Sequence, residues 1–382
     1  MLRRASLALV ALSLLSPAVR AEIAVSAQDG KQVLVDGVPT VPDNPPPDYV
    51  AIFDLGSGPP KLMAEVPAPT SVVGPPQSVA VAPDERLALV TSANMIDPAD
   101  PKKIALNDKL TVIDLQASPP QATATLAAGK GAAGVSINRA GTLALVANRA
   151  EGTVSVFTID GKTLTPAGKI EFGNDKSGPS HVVFSPDGKT ALVSRDGDSK
   201  ISVLSIDGSK VTYAKRDLSA GVRPYSIEMS PSGDIAVVGN VGTGSGDADT
   251  VSVIDMKASP IRVVETVTAG QTPEGVRISP DGKYLAVTVA NGSNKPKSSP
   301  FFNDNGLVKI FAIKGTKLTP VTEAKIGHWC QGAVWNKTAT MLVVQCMVEH
   351  ELQMFRFDGM TLTSGTPIKL KAGPAGIRTA EW

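Results

Sequence analysis

The sequence predicts an all-β, seven-bladed β-propeller, on three observations. A strand–turn–strand–loop–strand unit recurs seven times along the chain. Its spacing is 45 to 57 residues, a blade's length in all-strand sequence. The two ends of the chain carry complementary parts of one unit, which only a closed ring can use.

The unit is clearest over Ser177–Gly208, SGPSHVVFSPDGKTALVSRDGDSKISVLSIDG. A β-rich run, His181–Phe184, leads through Ser-Pro-Asp-Gly into a second, Thr190–Ser194, then a polar loop and a third, Ile201–Ile206. Valine and isoleucine favour pleated strands. Pro-Asp-Gly supplies a fixed φ, an Asp side-chain bond and a Gly that accepts φ > 0, the chemistry of a tight turn. Such a meander cannot bury both apolar faces alone, so it needs copies of itself. With Thr190 as marker, the copies lie at Gln32, Leu87, Leu143, Ile235, Tyr284 and Met341. Third strands follow as DYVAIFDL, DKLTVIDL, GTVSVFTI, SKISVLSI, DTVSVIDM, GLVKIFAI and HELQMFRF.

The tail, Gly373–Arg378, matches only a first strand. The head offers the other three as Gln32–Val35, Tyr49–Leu55 and Leu62–Val66. Counted from residue 22, the step round the two ends is 52 residues, within the range of the others. The last blade is therefore expected to take its inner strand from the C-terminus, with Ile23–Ser26 as a competitor for that place.

Residues 1–21 pair Arg3 and Arg4 with the apolar run Ala5–Leu15, then Pro17 and a small residue at Ala21 with Val19 two before it. That pattern is a secretory signal, with cleavage expected after Ala21. The run is too short to span a bilayer. No cysteine flanks the cleavage site, so no lipid anchor is expected; Sec and twin-arginine export both stay open. Export places the product in the periplasm or outside the cell. Losing Arg3, Arg4 and Arg20 takes the formal charge from +1 to −2. A near-neutral chain without a basic stripe argues against nucleic acid. Residues 22–382 suit one propeller domain, expected to be monomeric and without a membrane span.

Cys330 and Cys346 sit symmetrically about the turn Asn336–Thr340, so they should face each other on adjacent strands. In an oxidising compartment that implies a disulfide, worth about 3 kcal/mol in the chain-entropy model. A thiolate site would need a third soft ligand that the sequence does not show.

Function in a propeller gathers where loops enter the inner strands and leave the second strands, both on one face. The longest are Ser92–Asp108, Asn240–Asp249 and Ala290–Asn305, and long loops on a rigid scaffold are where function is usually placed. Candidates for a small polar or anionic ligand are Tyr225, Asn240, Glu274, His328, Trp329, Gln331 and Arg378. The alternative is that these residues only hydrate the channel mouth. Glu274 and Arg277 flank one strand and are placed to pair. Gly327–Gly332 departs furthest from the repeat, which marks it as functional or as a Trp329 plug. His181 is either a general base or a histidine donating to a neighbouring blade's carbonyl. Arg195 and Asp196 follow the second strand of the same blade, beside His181 or latched to each other. Asp247 and Asp249 offer oxygens to Ca²⁺ but lack an EF-hand pattern, so no metal ligand and no cofactor are assigned.

The repeated Pro-x-x-Val-x-(Ile/Phe)-Ser-Pro-Asp-Gly-Lys-x-(Leu/Ala)-(Ala/Leu)-Val, followed by Thr-Val-Ser-Val-Ile-Asp, resembles the YVTN-repeat, lactonase-like seven-bladed propellers. The likeness covers essentially all of residues 22–382. That family includes 6-phosphogluconolactonase-like and muconate-lactonizing-like enzymes and exported propellers. The resemblance implies a histidine before one inner strand, matched by His181. The family's Pro-Arg-His and Asn-Glu read here as Pro224-Tyr225-Ser226 and Asn240-Val241, with Arg223 one place early. Three functions follow as expectations: a module binding a small ligand or an envelope protein through the loop-rich face; a lactone hydrolase or lactonizing enzyme with His181 as base and Arg195 or Arg223 on the oxyanion; or a subunit of an envelope redox complex, by analogy with methylamine dehydrogenase heavy chains, which share the architecture.

Overall fold

The computed structural model describes residues 22–56 and 58–380; the expected signal segment lies outside them. Seven sheets form a ring. In order from inner to outer strand, blade 1 is Val79–Val81, Leu87–Asp97, Asp100–Asp114 and Gln121–Ala127. Blade 2 is Ala132–Ile137, Leu143–Asn148, Thr153–Asp160 and Thr163–Glu171. Blade 3 is Pro179–Phe184, Thr190–Arg195, Lys200–Asp207 and Lys210–Leu218. Blade 4 is Pro224–Met229, Ile235–Asn240, Asp249–Asp255 and Arg262–Gly270. Blade 5 is Pro273–Ile278, Tyr284–Val289, Gly306–Lys314 and Lys317–Ile326. Blade 6 is Cys330–Trp335, Met341–Cys346 and Glu351–Phe357, with its outer strand broken into Leu362–Ser364 and Ile368–Lys369.

Blade 7 takes its inner strand, Gly373–Thr379, from the C-terminus, as the sequence predicts. Its second strand is Ile23–Asp29 rather than Gln32–Val35. The physical reason lies in Asp36-Gly37. Both residues take positive φ (43° and 78°), the turn that favours a two-residue hairpin, so Val33–Val35 folds back on Val38–Thr40. This hairpin reaches blade 5, where the Lys297 amide donates to Asp36 Oδ1 at 2.8 Å. Tyr49–Asp54 and Lys61–Pro67 complete blade 7.

The energetics follow the ring. Seven apolar clusters each straddle one blade–blade interface, including those on both sides of blade 7. Val25 and Ile52 of blade 7, for example, meet Val79 and Val90 of blade 1. Each face left uncovered would forfeit about 25 cal/mol per Å² of apolar surface, so no blade is stable on its own. Inner strands crowd at glycines: a Cβ on Gly275 would lie 2.1 Å from the Gln331 carbonyl oxygen of the next blade.

Cys330 and Cys346 are register partners and are joined by a disulfide. Ser92–Asp108 departs from its reading as a loop. Strands two and three of blade 1 run on as a β-ribbon, pairing Ser92 with Lys109, Asn94 with Leu106 and Ile96 with Ile104, and turn near Asp97–Asp100.

Candidate functional site

Inner strands start on the loop-rich face, and the residue just before them shares one backbone state in five blades. Gly131, Gly178, Arg223, Thr272 and Trp329 all have positive φ, from 47° to 71°. Glycine accepts this without strain, whereas a bulky residue does so at a cost of about 1–2 kcal/mol. Arg223 and Trp329 stand where glycine is easier, which points to a use for their side chains.

Arg223 reaches into a cavity of about 500 Å³ on this face. Arg149, Lys176 and Asp196 share its wall, and Val73, Ala93 and Leu106 supply an apolar side. Arg149 and Asp196 occupy equivalent places, each directly after the second strand of its blade. They pair: Arg149 Nη2 donates to Asp196 Oδ2, and Nε to Oδ1 at 3.3 Å. Arg223 Nη2 donates to the same Oδ2 at 3.1 Å, and Ser180 Oγ to Oδ1 at 3.2 Å. Asp196 is buried, and one carboxylate between two guanidiniums beside a lysine leaves the wall with surplus positive charge.

Tyr225 lies behind this wall, its ring centroid 5.7 Å from the Arg149 guanidinium. Burial pushes its phenol pKa up, against the pull of Arg149 and with the push of Glu274 and Asp196. Glu274, on the start of the next inner strand, is partly exposed, but its Oε2 is sealed from solvent. Burial raises its pKa to about 7, opposed by Gln331, the Trp329 indole and the charge of Arg223. Glu274 Oε2, Trp329 Nε1 and Gln331 Oε1 are all enclosed, and the indole and the Gln331 side chain are the hydrogen-bonding groups beside the carboxyl. Beneath them the channel is crossed, because Gln77 Nε2 of the segment entering blade 1 donates to Ser226 Oγ of blade 4.

The structure therefore brings together Arg223, Tyr225, Glu274, Trp329 and Gln331 among the residues picked from sequence. Others lie elsewhere. His181 is fully buried and its Nδ1 contacts the Ile227 carbonyl oxygen of blade 4 at 2.9 Å. A carbonyl only accepts, so Nδ1 carries the proton. Burial and then the Arg378 charge push the imidazole well below its usual pKa, and the ring is held as a neutral strut between blades. Arg195 does not meet His181 or Asp196. It turns outward over the Phe172 ring at 4.7 Å and donates to Ser202 Oγ at 2.8 Å, with Asp198 and Asp217 beside it.

Asn240 is a latch: its Nδ2 donates to Thr250 Oγ1 and Ser252 Oγ, both at 3.0 Å, as Asn148 does to Thr153 and Ser155. Arg378 sits near the end of its strand, not the start, and donates to Glu228 Oε2 at 2.7 Å. Arg277 also pairs with Glu228, at 2.8 Å, rather than with Glu274. His328 belongs to a separate, smaller pocket, between Glu349 Oε1 at 2.6 Å and Asp304 Oδ1 at 3.2 Å. Asp249 spends Oδ2 on the Thr272 amide at 2.9 Å.

Sequence reasoning missed Arg149 and Lys176. The place after each second strand reads Arg149, Asp196, Val241, Ala290 and Met347 through blades 2 to 6, and its two charged members were the available signal.

In architecture the chain is a seven-bladed β-propeller, and solved structures share that fold. It is similar to a candidate 6-phosphogluconolactonase from Bacteroides fragilis, with TM-score 0.71 and 17% identity, over 96% of this chain and 100% of that one. The periplasmic gluconolactonase of Pseudomonas aeruginosa superposes with TM-score 0.64 and 18% identity, over 94% and 99%. A chain of Kuenenia stuttgartiensis hydrazine synthase gives 0.61 and 21%, over 81% and 90%. No family model and no curated protein sequence matches the chain.

Proposed function

We propose that this protein is an exported propeller whose loop-rich face binds a small anionic ligand in the cavity lined by blades 1 to 4. One observation carries the reading: Arg149 and Arg223 converge on the single carboxylate of Asp196, with Lys176 on the same wall. Two guanidiniums and an ammonium in a concave, partly apolar site recognise carboxylate or phosphate oxygens. Titration calorimetry with acetate, citrate and inorganic phosphate tests it. Binding that weakens with added salt supports the reading; no binding of any probe in low salt contradicts it.

A second reading, lactone hydrolysis, draws support from the gluconolactonase neighbours. In it Arg223 would face the developing oxyanion, but His181 is enclosed and Arg195 points away. The base would have to be another group, and Glu274, its pKa raised to about 7 by burial and opposed by the Arg223 charge, is the candidate. Turnover of a lactone panel by wild type and by His181→Ala alike, but not by Glu274→Gln, would favour it. Absence of turnover leaves the binding reading.

A further inference from the structure

The cavity that holds Arg149 and Arg223 is divided by chemistry. Its charged side comes from blades 2 to 4, and there the cations, rather than the carboxylate, face the opening. The Asp196 side chain is 3% exposed, against 28% for Arg149 and 42% for Arg223. The opposite side comes from blade 1 and the segment entering it, as Val73, Ala93, Asn94 and Leu106, with no charged group among these four. The ladder of the β-ribbon shifts register between Ser92 and Asn94, and such a shift re-aims side chains. Asn94 and Leu106 are register partners there, so their side chains leave the ribbon on one face. Leu106 is left 53% exposed, a large apolar group at the cavity rather than in a core. Val73 is backed by the apolar cluster of Val72, Met347 and Ala375, with Trp329 packed against it, which holds that part of the wall in place. A volume of about 500 Å³ lies in the range of pockets that enclose small organic ligands, not bare anions.

Resting on the anion-binding reading above, we propose that the ligand is an amphipathic monocarboxylate with an aliphatic tail of several carbons. Its carboxylate meets Arg149, Arg223 and Lys176, and its tail covers Val73, Ala93 and Leu106. Removing apolar surface from water gives the tail its share of the affinity, about fourfold for each methylene covered. A second carboxylate at the far end of the tail would be pressed against the blade 1 wall, whose side chains offer it no cation, and losing its water there carries a penalty. Tail length and a single charge are therefore what the site selects.

The test is calorimetry of the intact chain in low salt with acetate, butanoate, hexanoate and adipate, the last being hexanoate with a second carboxylate. Hexanoate should bind at least about tenfold tighter than acetate, with butanoate between them, and adipate should bind more weakly than hexanoate. Leu106→Ser should shrink the ratio of hexanoate to acetate affinity several-fold, its melting curve confirming that it folds. Arg149→Gln should weaken every member of the series and keep that ratio. Acetate and hexanoate that bind equally to wild type, or adipate that matches hexanoate, overturn the amphipathic ligand and leave the anion cavity standing. A ratio undiminished in folded Leu106→Ser overturns the placing of the tail on the ribbon. Failure of all these carboxylates to bind overturns the proposal as well, and the silence of citrate and phosphate beside them overturns both readings. The wild-type comparison stands even if the variant does not fold.

Discussion

Gln77 of the segment entering blade 1 donates across the channel to Ser226 of blade 4. Both side chains are buried, and Ser226 Oγ also accepts from the Val276 amide of blade 5 at 3.1 Å. One side-chain bond therefore ties blade 1 to blade 4 across the channel. Gln77→Ala removes the tie but leaves Ser226 its other partner. Urea unfolding should show a loss of about 1 kcal/mol, with ligand affinity unchanged.

The strained position before the inner strands separates stability from function. Thr272 has φ 59° and is β-branched, so Thr272→Gly should relieve strain that exceeds glycine's entropic cost, for a gain of about 0.5–1 kcal/mol. Arg223→Gly relieves the same strain but gives up the bond to Asp196, so its stability should stay near wild type. Its affinity for citrate should fall by about tenfold. Denaturant midpoints beside calorimetry check both, and a large stability loss in Thr272→Gly would contradict the argument.

Stability should also carry a pH signature. The pKa of Glu274 is raised to about 7, so the folded protein holds its proton where the unfolded chain has lost it. Such a group stabilises fully below the ordinary carboxylate range, and the contribution is lost as pH rises towards about 7. Buried Glu22, also raised to about 7 chiefly by burial, acts in the same direction. Glu274→Gln should flatten part of the decline between pH 4.5 and 7, measured as melting temperature, with Glu22 supplying the remainder.

Much of the architecture was legible because each blade repeats the same turn chemistry and the same valine-rich strands. The tail's role followed because Gly373–Arg378 has no second strand after it. The second strand of blade 7 was misplaced for a local reason. Gln32–Val35 follows Asp29-Gly30-Lys31, which imitates the Pro-Asp-Gly-Lys turn that leads into a second strand, while Ile23–Asp29 has no such turn before it and yet buries all seven residues. At the site, Arg223, Tyr225, Glu274, Trp329 and Gln331 were legible because the first residues of an inner strand must face the mouth. Arg149 and Lys176 were not, since they lie in short loops that break no pattern. Tertiary pairing, invisible in sequence, took Arg195 outward and made His181 a strut.

Ring closure by the tail has its own test. Ala375 and Ile377 are buried in the inner strand of blade 7, and Ile377 packs between Val334 and Val343 of blade 6 and Ala24 and Phe53 of its own blade. Deleting Gly373–Trp382 strips both neighbouring blades of a partner, and the chain should lose its cooperative thermal transition. A truncated protein that melts like the intact one would contradict the closure.

The cationic cavity itself is tested most directly by citrate affinity in wild type, Arg149→Gln, Arg223→Gln and the double variant. Each single change should weaken binding by about tenfold, as loss of one charge-assisted bond does, and the double change should abolish it while the fold's melting curve persists. Citrate affinity that is equal in all four folded proteins would contradict the account.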